Sequence, residues 1–134
     1  MPEQMLDLEM IDASTSVVEE CLDVKPGEEV LVITDARKVG VGRNIATAAN
    51  AAGATTTMSV MPLLDSHGND PPDVVADAMV AADVAFTCTT HAITHTRSRL
   101  RAAEAGTRFG ILRGVTEEMM VEGAMTVDFE ELRR

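Results

Sequence analysis

The stretch from Thr89 to Arg97, TTHAITHTR, gathers two histidines, several threonines and an arginine within nine residues. Histidine titrates near neutral pH and can carry a proton to or from a reacting group. Threonine hydroxyls cap helices and, with backbone N–H groups in a first helical turn, face anions or developing oxyanions. His95 is therefore the candidate catalytic acid or base, and Thr90, His91, Thr94, Thr96 and Arg97 are candidate substrate contacts. A second segment, Thr34-Asp35-Ala36-Arg37, adds Asp35 as a further candidate contact. The same residue types also do purely local work, satisfying backbone groups where a strand turns into a helix. Both readings stand at this level.

Other chemistries find less support. His91 and His95 have the four-residue separation of helical zinc pairs, but position 92 is Ala where a metalloprotease carries Glu. His67 belongs to a polar loop, Asp65-Ser66-His67-Gly68-Asn69-Asp70, so no metal is expected on this chain alone. Arg97, Arg99 and Arg101 read as an ion-pairing helix face, with Glu104 within reach of Arg101. The turn from Thr34 to Gly42 lacks the GxGxxG pattern of a dinucleotide site, and no GxSxG or P-loop occurs. Cys21 and Cys88 form no CxxC pair and read as small apolar side chains in a reducing compartment.

The elements that must position these residues follow from hydrophobic patterning. Met10, Ala13, Val17 and Cys21 share one face of a helix expected over residues 6–22. The run EVLVIT at 29–34 is short, β-branched and continuously apolar, as in a strand buried on both sides of a parallel sheet. Strands are then expected at 54–61, 84–89 and 108–112. Helices are expected at 39–52, 73–82 and 94–105, the last capped by Thr94, with a short one at 116–122 capped by Thr116. Such alternation calls for an α/β fold: a doubly wound parallel sheet of about four strands with helices on both faces. If the third strand lies beside the first, the loops carrying Asp35 and His95 share one crevice beyond the carboxyl ends of the strands.

Composition narrows the partners. The 134 residues hold 22 acids and 11 bases, a net charge of -11, which opposes nucleic-acid binding. No apolar run reaches the roughly 18 residues of a membrane span, and the acidic amino terminus is unlike a secretion signal, so the expected location is the cytoplasm. Asp128 and Glu131 have capping-box spacing, so residues 128–134 are expected to begin a helix too short to stand alone, leading to a further domain, while 1–127 form the α/β domain.

These segments resemble a known family. KPGEEVLVITD at 25–35 is similar to the opening strand of the thermophilic metallo-aminopeptidase family of leucyl aminopeptidase or aminopeptidase T type. THAITHTRSR at 90–99 resembles that family's Ser-His-Ser-Leu-Ser-His-Thr segment, with Thr at 90 and 94 and Ala at 92 in the serine positions. AAEAGTR at 102–108 and GVTEEMM at 114–120 continue the likeness. The family also takes in iron-dependent dioxygenases that open 2,5-dihydroxypyridine rings. The resemblance implies an amino-terminal, substrate-cleft domain, with His95 facing substrate. It implies that the divalent metal is bound by a carboxyl-terminal domain or partner chain lacking here, and that the assembly is a homo-oligomer. A ring-cleaving dioxygenase, or a stand-alone domain that binds small anions or oligomerises, are the alternatives.

Overall fold

A computed structural model describes residues 3–62, 70–90, 96–112, 115–122 and 128–130. The chain runs α1 (Glu3–Thr15), a π-helical turn (Ser16–Cys21), β1 (Glu29–Asp35), α2 (Val39–Ala51), β2 (Thr55–Met61), α3 (Asp73–Ala81), β3 (Val84–Cys88), α4 (Arg97–Glu104), β4 (Arg108–Ile111), α5 (Glu117–Glu122) and β5 (Asp128–Glu130). The sheet order is β2-β1-β3-β4-β5, with β1 to β4 parallel and β5 antiparallel to β4.

The continuous apolar run of β1 is explained by burial on two sides. Val30 and Val32 join one core with Val41 and Ile45 of α2, Phe86 of β3 and Val17 and Val18 of the first helix. Leu31 and Ile33, one residue out of phase, join a second core with Val75 and Met79 of α3, Ala102 of α4 and Phe109 of β4. Helices α1, α2 and α5 thus cover one face and α3 and α4 the other, the doubly wound arrangement expected.

Close packing across the sheet depends on small residues. A Cβ on Gly110 would lie 2.7 Å from the Phe86 ring, its direct partner across β3 and β4. A Cβ on Gly42 would lie 2.2 Å from Cγ2 of Thr34, so α2 can seat on β1 only where a side chain is missing. At the opposite end, Arg108 donates from both guanidinium nitrogens to Glu28, at 2.8 and 3.0 Å, and to the Leu22 carbonyl at 3.1 Å. This fork ties the start of β4 to the turn before β1 and to the end of the first helix.

Three expectations need correction. The first helix does not keep one period to residue 22: after Thr15 it widens to a π turn, with the Leu22 N–H donating to Val17 O at 3.1 Å. The wider turn shifts the phase, so Ser14, Val18 and Leu22 are buried while Ala13 and Cys21 are only partly so. Ser14 is tolerated inside because its hydroxyl donates to Asn44 of α2. Residues 128–130 form a strand, not the helix start expected, because pairing with β4 satisfies backbone groups that an isolated turn and a half would leave to water. The fourth helix starts at Arg97 with Thr96 as its cap, so Thr94 is not the cap and Thr96 is not in the first turn. Thr116 does cap α5, accepting from the Met119 N–H at 3.1 Å.

Gly42→Ala should destabilise the fold by roughly 1–3 kcal/mol in denaturant melts, the overpacking outweighing the better helix propensity of Ala. Thr34→Ser, which lacks the clashing methyl, should recover most of that loss. The Glu28 carboxyl is held below its usual range, chiefly by the Arg108 hydrogen bonds. A carboxyl lowered in the folded state adds stability above its unfolded value and loses it as pH falls through the folded one. Glu28→Gln should therefore cost about 1–2 kcal/mol at neutral pH. The gap to wild type should narrow as pH falls below the ordinary glutamate range, when the Glu28 carboxyl takes up its proton.

Candidate functional site

In an open parallel sheet a crevice forms where successive connections leave on opposite faces. Here the chain leaves β1 toward α2 on one face and β3 toward α4 on the other, and β1 and β3 are neighbours. The switch point is the gap between the carboxyl ends of Asp35 and Cys88. The two loops singled out from sequence therefore leave the sheet side by side.

Asp35 joins them. Its side chain is buried, 1% exposed, at the last position of β1. One carboxylate oxygen accepts from the Thr90 N–H at 2.7 Å, and the other from the Thr90 hydroxyl at 3.1 Å and the Arg37 N–H at 2.9 Å. A buried carboxylate is tolerated when donors surround it, and these donors come from both loops. Asp35 thus positions the loop that begins at Thr90, and its oxygens are engaged within the chain. Thr89, beside Thr90, is buried as well.

At the far end of that loop Thr96 is 2% exposed and accepts from the Arg99 N–H at 3.2 Å. Asp70 reaches the same helix start, accepting from the Ser98 N–H at 3.3 Å. Thr96 is the cap of α4. Arg97 is exposed at the opening of α4. Arg101 pairs with Asp77 of α3 at 2.8 Å, not with Glu104. Arg99 does not belong to a surface face: it is 6% exposed, with its guanidinium 5.8 Å from the Phe109 ring centroid. His67, His91, Thr94 and His95 lie outside the described residues. Among the described residues no three His, Cys, Asp or Glu side chains come together as a metal site.

Sequence reasoning missed Lys38. Its ammonium spans the crevice end of the sheet from the start of α2 and donates to the Val115 carbonyl at 3.2 Å, beyond β4. Its charge is felt by the buried Cys88 thiol at the end of β3. Burial nevertheless pushes that thiol up to about 12, against the opposing pull of Lys38, so it stays protonated. The available signal was that Lys38 is one of only two lysines and immediately follows the first strand and its turn.

These features define an open α/β domain of 2-1-3-4 winding with its switch point between β1 and β3. No family model matches the chain, nor does any curated protein sequence. Solved structures do share the fold. The 2,5-dihydroxypyridine dioxygenase from Pseudomonas putida KT2440 overlays with a TM-score of 0.65 at 16% identity, over 89% of this chain and 36% of that one. Wild-type AmpT from Thermus thermophilus overlays with a TM-score of 0.54 at 15% identity, over 87% of this chain and 41% of that one. The relationship is remote and is one of fold, and the chain spans well under half of either protein. Among the described residues no helix is long and apolar enough to cross a membrane.

Asp35→Ala removes the acceptor for two partly buried N–H groups and a hydroxyl. It should cost about 2–4 kcal/mol in denaturant melts. Amide exchange at Thr90 should accelerate well beyond that of β1 and β3; unchanged protection at Thr90 would show that Asp35 does not hold the loop.

Proposed function

We propose that this chain is the substrate-cleft domain of a metalloenzyme of aminopeptidase T type, releasing amino-terminal residues from peptides with a divalent metal held outside this chain. The observation that carries the reading is the Asp35–Thr90 link. It secures the start of the His91–His95 loop at the switch point, where parallel sheets bind ligands. The sequence likeness of residues 90–99 to the family's histidine segment and the fold shared with AmpT point the same way.

In this reading His95 is the acid or base that faces substrate. Thr90, His91, Thr94 and Arg97 line the cleft, while Asp35 and Thr96 hold the loop ends. A partner domain or chain, within a homo-oligomer, supplies the metal. The fold shared with a ring-cleaving dioxygenase makes that chemistry the second reading, with the same histidine as proton acceptor and iron as the metal.

The test pairs two assays. This chain of 14.3 kDa, supplied with zinc, cobalt, manganese or iron, should not hydrolyse leucine p-nitroanilide. The protein from its natural source, with the domain or chain that holds the metal, should turn the substrate over, and His95→Ala should lower kcat roughly 100-fold with a smaller change in KM. Metal-dependent turnover by the 14.3 kDa chain alone overturns the proposal. Consumption of 2,5-dihydroxypyridine in place of the peptide analogue selects the second reading.

A further inference from the structure

The two edges of the sheet differ in kind. One is β5, three residues long with Asp128 and Glu130 at its ends. Short, charged strands are a common guard against unwanted pairing. The other edge is β2, the seven residues Thr55–Met61, with no charge, proline or glycine among them. The β-branched residues Thr55, Thr56, Thr57 and Val60 favour extended pairing. Val60 is 56% exposed and Thr55 and Thr57 are exposed as well, so the strand is open to solvent. Among the described residues no strand lies beyond it.

The neutral stretch is longer than the strand. A quarter of the residues in the chain are charged, yet none from Asn44 to Leu64 is. Helix α2 packs beside β2, with Ile45 and Met58 in the same core, and the residues it exposes beyond Arg43, Thr47, Asn50 and Ala51, are small and uncharged. Two copies of a chain with net charge -11 repel each other, and along this flank they do so least.

The backbone of β2 is complementary to a second copy of itself. The Thr55 N–H donates to the Glu28 carbonyl at 2.8 Å, and successive residues of a strand turn their backbone groups to opposite sides. Thr55, Thr57, Ser59 and Met61 therefore bond to β1, and Thr56, Met58 and Val60 direct their N–H and C=O groups to the open edge. An antiparallel copy with the two Met58 residues opposite each other sets Thr56 against Val60 of the other copy, and every outward N–H meets a carbonyl. Shifting that register sets Val60 against Ala54, whose N–H is already given to Ala49, or Thr56 against Pro62, which has none. One register thus satisfies the whole edge.

We propose that β2 is the interface of a homodimer, in which the strands of two copies pair antiparallel about a twofold axis at Met58 and join two sheets into one. The pairing does not depend on the chemistry assigned to the crevice.

The experiment is sedimentation equilibrium of the 134-residue chain from micromolar to millimolar concentration, with amide exchange followed across the same range. A mass of twice 14.3 kDa is expected at the upper end. The Thr56, Met58 and Val60 amides should exchange at least roughly tenfold more slowly in the dimer than in the monomer, while Thr57 and Ser59 stay protected in both. Added sodium chloride should tighten the dimer by screening the net charge. Val60→Lys and Thr57→Lys, both at exposed positions, should each weaken association at least roughly tenfold without lowering the melting temperature of the monomer. Leu100→Lys, the same change of charge at an exposed position of α4, should not weaken it. A mass that stays at 14.3 kDa, a dimer that survives both strand variants, fast exchange at Thr56, Met58 and Val60 in the dimer, or weakening by salt each overturns the proposal. Failure of the enzyme reading shows itself separately, as turnover by the natural protein that His95→Ala leaves unchanged.

Discussion

The carboxylate of Asp35 is the constraint on which the crevice depends. A charge 1% exposed at the end of a central strand survives only because three donors converge on it, and two of those come from Thr90, across the switch point. The bond performs two tasks at once. It compensates a buried charge, and it fixes the height at which the next loop leaves the sheet. Thr90 is thereby anchored to β1, and Thr96 is buried as the cap of α4.

The rest of the architecture serves that junction. β1 and β3 bury side chains on both faces, so neither strand can shift without disturbing two cores. Gly42 lets α2 approach Thr34, the residue before Asp35, and Gly110 lets the Phe86 ring lie over β4. At the other end, the Arg108–Glu28 fork holds the entrances of β1 and β4. The two cores and the Arg108–Glu28 fork thus hold the sheet that carries the Asp35–Thr90 junction.

Most of the fold was legible from residue order. EVLVIT at 29–34 announced a strand buried on both faces, and β-branched runs separated by amphipathic segments announced the winding. Thr116 was legible as a cap because the acids that follow it mark a helix start. The π turn was not, since a one-residue change of phase leaves no compositional mark, and the burial of Ser14 was not, since its partner Asn44 is 30 residues away. The strand at 128–130 was misread because capping spacing is local, whereas pairing with β4 is not. Thr94 was read as the cap of the helix after β3, whereas Thr96, buried, accepts from the Arg99 N–H and takes that place.

By itself, the sequence determined the alternation of strand and helix, the two-sided burial of β1 and the presence of a histidine-threonine segment after β3. Each of these is carried by residue types within a few positions of one another. Only the tertiary structure decided that β3 lies against β1, that Asp35 directs its carboxylate to Thr90, 55 residues on, and that Lys38 reaches Val115, 77 residues on. The physical reason is that a buried charge or an ammonium takes whichever partner the folded chain brings within about 3 Å, and that choice is not written in local spacing.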